Sequence, residues 1–169
     1  LKVGNGDLAY PSGTEDLHYE GELVVALGAG GKNLDRVAVE AAIFGYAAGL
    51  DMTRRDVQAG LKDRRLPWDM AKSFDDCAAI SAIRPKADAG NPQATNLKLS
   101  VNGTVKQDDT TAKMIWPMVD ALVHLSTLIE LKAGDLLFTG TPEGVGQVVR
   151  GDRMDVVIAD VAELSVTLK

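Results

Sequence analysis

Apolar and polar side chains alternate on both sides of an Asn-Gly pair at residues 102 and 103. Before the pair, Leu97, Leu99 and Val101 alternate with polar residues, and Val105 resumes the alternation after it. Residues two apart in a strand share one face, and Asn-Gly favours the two-residue turn that joins antiparallel strands. The pattern therefore predicts a β-hairpin with one apolar face, and antiparallel pairing becomes the first constraint on the fold.

Other segments have the periodicity of strands or helices. The predicted strands span residues 17–27, 136–139, 155–158 and 164–168. The predicted helices span residues 34–48 and 117 to about 130. In the first helix, Asn33 is the expected cap, and Val37, Ala41 and Phe44 are the expected buried side chains. Strands outnumber helices and hairpin turns are frequent, which favours a mainly β or α+β fold over a doubly wound parallel sheet.

Length and composition limit the class of protein. The 169 residues suit a single domain over 1–169, and 46% hydrophobic with 25% charged residues is typical of a globular chain. A net charge of −6 disfavours a nucleic-acid or anionic-membrane partner and directs attention to cation sites. Apolar runs fall far short of the roughly 20 residues that a transmembrane helix needs. A single cysteine, Cys77, favours a reducing compartment such as the cytosol or the mitochondrial matrix, and we expect a cytoplasmic location.

Two acidic residues, Glu20 and Glu22, lie two positions apart on the predicted strand 17–27. Their side chains leave the same face about 6.6 Å apart along the backbone, which allows both to reach one cation. A solvated polar face at the start of a strand is the other interpretation of this pair. His18 is on the same face and is either a further ligand or a histidine outside the ligand set.

A polar cluster follows the first predicted helix. Its Asp51 would complete a set of oxygen ligands, which suits Mg²⁺ or Mn²⁺ better than zinc. Arg55 can form bidentate hydrogen bonds with a substrate carboxylate, and Gln58 can supply an amide donor. The alternative is an exposed group of ion pairs within the charged run 54–56.

Two further positions can bind an anion. Lys72 stands among apolar and small residues, where a half-buried ammonium needs an anion unless its side chain extends to solvent. The glycine-rich segment 140–146 follows a predicted strand, so its backbone N–H groups and the Thr141 hydroxyl can surround a carboxylate. A tight turn that needs glycine for its backbone geometry is the alternative for this segment.

Taken in order along the chain, these motifs resemble the fumarylacetoacetate hydrolase family, and within it the small acylpyruvate and fumarylpyruvate hydrolases. The resemblance extends from about residue 17 to the C-terminus. The stretches that carry it are residues 19–23, 49–58, 66–68, 71–75, 101–103, 134–135 and 139–146. Several motifs in the same order are more specific than any one of them alone.

The resemblance implies a mixed β-sandwich roll with a few short helices, usually assembled as a homodimer. It assigns a Mg²⁺ or Mn²⁺ ion to three carboxylates and places four other residues around a substrate, with Lys72 also catalytic. The implied metal ligands are Glu20, Glu22 and Asp51, and the implied substrate-binding residues are Arg55, Gln58, Lys72 and Thr141. Relatives often hold a larger residue at Gly21, whose side chain is expected to point away from the metal.

In this family a histidine and a glutamate on a short lid helix activate the attacking water. Residues 1–16 contain no histidine. The pair is therefore expected upstream of Leu1, and the catalytic domain 1–169 is expected to lack that lid segment.

The implied activity is metal-dependent cleavage of the carbon–carbon bond of a 3-acylpyruvate such as fumarylpyruvate, as in aromatic catabolism. The products would be pyruvate and a carboxylic acid, and the partner would be a small-molecule 2-oxo acid. One alternative is oxaloacetate decarboxylation, or a related isomerisation of a 2-oxo acid, at the same metal site. An alternative of another class is a module that binds a 2-oxo acid without turnover.

Overall fold

The hairpin predicted at Asn102 and Gly103 forms one edge of a β-sheet in the computed structural model, which describes residues 1–169. Asn102 and Gly103 have φ angles of 50° and 78°, the left-handed values that a two-residue hairpin turn requires. The apolar residues before the turn are buried as predicted. Val105, in contrast, pairs with Ser100 on the outer face and is 49% exposed.

The chain forms short strands and four α-helices. The strands are β1 (Lys2–Val3), β2 (Gly6–Leu8), β3 (Leu17–Tyr19), β4 (Gly21–Leu27), β5 (Ile43–Asp51), β6 (Thr53–Arg54), β7 (Ala78–Ile80), β8 (Arg84–Pro85), β9 (Asn96–Val101), β10 (Thr104–Thr110), β11 (Leu136–Phe138), β12 (Gly146–Val148), β13 (Arg153–Ile158) and β14 (Ala162–Leu168). The helices are α1 (Arg36–Ala42), α2 (Arg55–Asp63), α3 (Asp69–Lys72) and α4 (Met118–Leu128). Not one of these helices has the length and apolar character needed to cross a membrane.

Three sheets organise the strands. The largest is six-stranded, with the order β1-β7-β5-β4-β11 and β8 paired to β5. A five-stranded sheet has the order β10-β9-β13-β14-β2, and a three-stranded sheet has the order β12-β3-β6. Neighbouring strands are antiparallel except for two parallel pairs, β1 with β7 and β14 with β2. The sheets are therefore mixed, and the predicted mainly β class is confirmed.

The two larger sheets face each other across the main core of 27 buried residues. Alternate positions of facing strands supply it, among them Leu23 and Val25 of β4 and Leu99 of β9. A smaller cluster with Val24 and Ala47 lies on the opposite face of β4 and β5. Because apolar side chains are taken from water on the inner faces of both sheets, their burial holds the sandwich together.

The prediction of a helix over 34–48 is wrong for the second half of that segment. α1 ends at Ala42, and the chain continues directly as β5. The cap is Asp35, whose carboxylate accepts a 2.8 Å hydrogen bond from the backbone N–H of Ala38. The helical pattern predicts that Val37, Ala41 and Phe44 are buried, but all three are exposed, Val37 at 74% and Phe44 at 54%.

β5 is a strand because neighbouring strands pair with it on both sides. Its glycines allow these neighbours to come close, since a Cβ at Gly45 would lie 2.2 Å from the carbonyl oxygen of Arg84. Glycine also costs about 1 kcal/mol in a helix interior. Pairing with distant strands thus overrides the local helical periodicity.

The strand predicted over 17–27 is interrupted at Glu20. β3 ends before this residue and belongs to the three-stranded sheet, whereas β4 begins after it in the six-stranded sheet. The neighbouring chain makes the same change, because β5 ends at Asp51 and β6 begins at Thr53 beside β3. Two neighbouring segments of the chain, 17–27 and 43–54, therefore pass between the six-stranded and the three-stranded sheet at adjacent positions. The other predicted elements are present with shifted ends, as α4, β11, β13 and β14.

Candidate metal and substrate site

Glu20 and Asp51 lie side by side where the two strands change sheets. Antiparallel pairing of β4 with β5 places Gly21 opposite Leu50. Glu20 precedes Gly21 and Asp51 follows Leu50, so these two acidic residues are next to the last pair. The backbone N–H of Asp51 then donates a 2.9 Å hydrogen bond to the carbonyl oxygen of Glu20. Backbone pairing thus brings together two carboxylates that are 31 positions apart in the sequence.

The carboxylates of Glu20, Glu22 and Asp51 form one cluster. One oxygen from each of the three lies within 4.8 Å of the others. Glu22 is buried, with 3% of its surface exposed, so a solvated polar face does not describe this pair of glutamates. Three carboxylates at this spacing provide the oxygen donors that Mg²⁺ and Mn²⁺ bind.

Two basic side chains border this acidic cluster. The Lys72 ammonium donates hydrogen bonds of 2.7 Å to Glu20 Oε2 and 2.7 Å to Asp51 Oδ2. Arg55 donates one of 2.6 Å to Glu20 Oε1 and one of 2.7 Å to Gln58 Oε1. Three of the four residues that the resemblance places near the substrate are therefore at the cluster: Lys72 and Arg55 contact its carboxylates, and Gln58 is one hydrogen bond away through Arg55.

The charged run 54–56 does not form an exposed group of ion pairs. The Arg54 guanidinium stacks 4.4 Å from the centre of the Phe74 ring, and Arg55 turns toward Glu20. Asp56 accepts hydrogen bonds from the Thr14 hydroxyl and from the Glu15 backbone. The three residues point to three different environments, so their proximity in sequence does not reflect mutual pairing.

His18 is not one of the clustered ligand residues. Its Nε2 lies 3.0 Å from Asp16 Oδ1, and its buried Nδ1 has no hydrogen-bond partner in the chain. Of the two sequence interpretations, the histidine outside the ligand set is the one that the structure supports.

The segment after β11 binds a carboxylate of the chain itself. The Gly140 backbone N–H donates a 2.7 Å hydrogen bond to Glu22 Oε2. The Thr141 hydroxyl donates one of 2.8 Å to the carbonyl oxygen of Gly21, between the two glutamates. The predicted cradle therefore orients Glu22, and it leaves the backbone N–H of Thr141 without an acceptor in the chain.

Burial and charge set the protonation of the acidic cluster. Burial raises the pKa of Glu22 to about 7, and the nearby Asp51 and Glu20 carboxylates act in the same direction. Burial also raises the pKa of Asp51, despite its hydrogen bond from Lys72. Burial opposes ionisation of Glu20 as well, but hydrogen bonds from Lys72 and Arg55 outweigh it and lower its pKa. A divalent cation would offset the repulsion from neighbouring carboxylates that helps to raise the pKa of Glu22 and of Asp51.

Lys72 keeps its proton at neutral pH. Burial alone would lower the pKa of its ammonium, but the hydrogen bonds to Asp51 and Glu20 outweigh burial and raise it above the ordinary value. Lys72 and Arg55 together place two positive charges beside the three carboxylates. Addition of a divalent cation would make this group of charges net positive, and hence attractive to an organic anion.

Gly21 faces the protein interior and not the carboxylate cluster. A Cβ built on it would lie 2.9 Å from Leu99 Cδ1 and 3.1 Å from Gln107 Oε1. The side chain of a larger residue would therefore point away from the cluster, as expected, but Leu99 and Gln107 would have to shift. Gln107 is the residue of this region that sequence patterning does not single out, because it lies on a strand with mainly polar side chains.

Residues 2–169 match the model of the fumarylacetoacetate (FAA) hydrolase C-terminal domain, and the chain belongs to this family. It is 42% identical over 168 residues to the fumarylpyruvate hydrolase of Ralstonia sp, covering 99% of this chain and 87% of that protein. It is 44% identical over 150 residues to the oxaloacetate tautomerase YcgM of Escherichia coli (strain K12), covering 88% and 68%.

A solved structure of the family has the same fold. The fumarylpyruvate hydrolase of Pseudomonas aeruginosa, crystallised with Mn²⁺ and pyruvate, superposes with a TM-score of 0.93 at 42% identity. The match covers 98% of this chain and 74% of that one. The β-sandwich predicted from the resemblance is thus the fold that this family shares.

Proposed function

We propose that this protein binds Mg²⁺ or Mn²⁺ through Glu20, Glu22 and Asp51 and cleaves the carbon–carbon bond of a 3-acylpyruvate such as fumarylpyruvate. The observation that carries the proposal is the cluster of three carboxylates within 4.8 Å, bordered by Lys72 and Arg55. The 42% identity to a fumarylpyruvate hydrolase over almost the whole chain supports this choice of substrate.

The residues of the cluster fit a hard divalent cation. All three donors are carboxylates, and the most buried of them, Glu22, receives only the hydrogen bond from Gly140. A buried carboxylate with so little compensation is costly when ionised unless a cation approaches it. When bound, the ion supplies Lewis-acid stabilisation of the negative charge that develops on the 2-oxo acid, worth several kcal/mol.

The basic and amide groups would bind the anionic end of the substrate. Arg55 and Lys72 place two positive charges at the cluster, and the Gln58 amide is within reach of Arg55. The Thr141 hydroxyl hydrogen is engaged by the carbonyl oxygen of Gly21, but the backbone N–H of Thr141 has no acceptor in the chain and is a further donor. Contacts within the chain hold Arg55 and Lys72 beside the carboxylate cluster before substrate arrives.

Cleavage requires water to add to the distal carbonyl carbon of the acylpyruvate. The bond from that carbon to C3 of the pyruvate unit then breaks, and its electron pair stays on C3 as the enolate. A proton delivered to C3 gives pyruvate, and the acyl carbon leaves as a carboxylic acid. Lys72 carries a proton at Nζ and is the group that we assign to charge stabilisation or to this protonation.

A base must take a proton from the attacking water. The family resemblance implies a His-Glu pair for this role, and residues 1–16 contain no histidine that could supply it. This assignment is separable from the metal cluster, because the carboxylates, Lys72 and Arg55 are all held by contacts within 1–169.

Oxaloacetate tautomerisation is the second candidate function. It is supported by the 44% identity to the tautomerase of Escherichia coli. Interconversion of the enol and keto forms moves one proton between an oxygen and C3, so it requires no activated water and no carbon–carbon cleavage. The same Lys72 proton and the same carboxylate cluster suit this chemistry.

Side-by-side assays of fumarylpyruvate and oxaloacetate distinguish these functions. The purified protein is incubated with each compound and Mg²⁺ or Mn²⁺, and pyruvate, CO₂ and the enol absorbance of oxaloacetate are followed. We expect pyruvate to form from fumarylpyruvate, and we expect its formation to stop when the metal is chelated. Acceleration of enol–keto exchange alone favours the tautomerase, and release of CO₂ favours a decarboxylase. A rise in Tm with a 2-oxo acid but no turnover of either compound would contradict both enzymatic candidates and favour a binding module.

A further inference from the structure

Gln107 is a buried amide that makes three hydrogen bonds beside the carboxylate cluster. It lies on β10 and is 1% exposed. Its Oε1 accepts a 3.0 Å hydrogen bond from the backbone N–H of Gly21. Its Nε2 donates hydrogen bonds of 2.8 Å to the Thr141 hydroxyl and 2.8 Å to the carbonyl oxygen of Pro142. The acceptor and both donor hydrogens of the amide are thereby satisfied.

A β-bulge places this side chain inside the protein. Val105 pairs with Ser100, but the next paired residue is Gln107, which lies opposite Leu99. Without the extra residue, Lys106 would lie opposite the fully buried Leu99, and Gln107 would face outward with Lys98. Bulges of this kind are known to redirect side chains near active sites.

Gln107 connects two backbone segments that carry the cluster. Gly21 separates Glu20 from Glu22, and its N–H is bound by Gln107 while its carbonyl oxygen is bound by the Thr141 hydroxyl. The same turn donates the Gly140 N–H to Glu22. Neighbouring contacts hold this turn too, since the Tyr19 hydroxyl donates to the Gly144 carbonyl oxygen.

We propose that Gln107 is a positioning residue: it fixes the Glu20–Glu22 strand and the turn at residue 141 at the spacing that metal binding and turnover require. It makes no hydrogen bond to any of the three carboxylates, so its effect passes through Gly21 and Thr141. The part of this proposal that concerns turnover rests on the proposed function, whereas the part that concerns backbone order and metal affinity does not. An amide that merely satisfies core polar groups would affect stability alone.

Gln107→Met tests the proposal, because it preserves side-chain length and removes all three hydrogen bonds. The control is Leu164→Ala, a change to a buried residue of β14, which β9 and β13 separate from β10. Three measurements are compared well below the Tm of both variants: amide hydrogen exchange at Gly21 in chelator-treated protein, the Mn²⁺ dissociation constant, and the steady-state parameters kcat and KM. Thr141→Val, which removes the bridging hydroxyl and retains Gln107, provides a second route if Gln107→Met does not fold.

We expect Gln107→Met to accelerate exchange at Gly21 and to weaken Mn²⁺ binding by about tenfold or more, the effect typical of groups that orient metal ligands. We expect kcat to fall more than KM changes, while Leu164→Ala alters neither exchange at Gly21 nor Mn²⁺ affinity. Exchange and affinity in Gln107→Met equal to those of the control would overturn the positioning role. Absence of turnover in the unaltered protein would contradict the proposed function. The comparisons of amide exchange and Mn²⁺ affinity would still decide the role of Gln107.

Discussion

The backbone N–H of Asp51 donates a 2.9 Å hydrogen bond to the carbonyl oxygen of Glu20, where β4 and β5 both leave the six-stranded sheet. Because this bond belongs to the backbone, the two carboxylates stay adjacent even though like charges repel. The protein thus holds an electrostatically unfavourable group of acids in place by strand pairing, and each acid can be altered without removing the pairing.

Asp51→Asn tests the carboxylate cluster. The amide retains the shape of the side chain but removes one negative charge. Changes to groups that only orient a metal ligand cost about 10–100-fold in affinity, and the loss of a ligand carboxylate should weaken Mn²⁺ binding by more than that. Stability should change little, since burial already raises the pKa of Asp51 and disfavours its charge. Titration calorimetry with Mn²⁺ and thermal unfolding measure the two quantities. Asp75→Asn, at an exposed aspartate, is the control, and Mn²⁺ affinity equal in both variants would exclude Asp51 as a ligand.

Glu22 should make the chelated protein less stable as pH rises. Its pKa is about 7 in the folded protein against an ordinary value of 4.5, so the folded state binds more protons between these values. Stability present below pH 4.5 is therefore lost as pH rises toward 7, by about 3 kcal/mol for this group alone. Chemical unfolding at a series of pH values, with chelator present, measures the slope.

Glu22→Gln serves as the comparison for this pH dependence, because the amide does not titrate. We expect its stability to vary less across the same pH range, and Mn²⁺ to raise the Tm of the unaltered protein more at high pH than at low pH. Parallel stability curves for the two proteins would contradict the assignment of this titration to Glu22.

Lys72→Met should affect metal affinity and turnover in opposite directions. The Lys72 ammonium donates to both Glu20 and Asp51, so its removal frees carboxylate oxygens and increases the attraction for Mn²⁺. Turnover should fall by about a hundredfold or more, in the range for loss of a general acid or a charge-stabilising donor. Lys62→Met, which changes an exposed lysine of α2, is the control. Weaker Mn²⁺ binding in Lys72→Met would show that this lysine supports the metal site and does not compete with it.

Gly21→Ala and Gly60→Ala should change stability in opposite directions. The new Cβ at Gly21 would lie 2.9 Å from Leu99 and should cost about 1–3 kcal/mol of unfolding free energy through overpacking. Gly60 is on α2 with no atom within 4 Å of a built Cβ, so alanine there should stabilise the helix by about 0.5–1 kcal/mol. Denaturant unfolding measures both. Combining Gly21→Ala with Leu99→Val should recover part of the loss, and failure to recover any would locate the strain elsewhere.

The homodimer implied by the family resemblance stays a prediction, as does a cytoplasmic location. The molar mass of the purified protein in solution, measured by light scattering, tests the first. A mass near the 17.9 kDa of one chain would contradict it.

Local sequence was a reliable guide where the interactions are local. Asn102 and Gly103 adopt the turn that their own conformational preferences favour. The spacing of Glu20 and Glu22 predicted that both could reach one site, and their carboxylates do cluster, although the strand breaks at Glu20. The identity of the acidic and basic residues, all present in the sequence motifs, likewise predicts oxygen donors for a hard cation and counter-charges for an anion.

Tertiary structure decided the features that depend on distant partners. Residues 43–51 form a strand and not a helix because β4 and β7 pair with them, and the strand over 17–27 breaks at Glu20 because its neighbour changes sheets at the same level. A bulge opposite Leu99 turns Gln107 inward. The sequence by itself therefore determined which groups are available and the local direction of the strands. Only the packing of the sheets decided which of these groups meet, since backbone pairing and burial are satisfied across the whole fold and not within one segment.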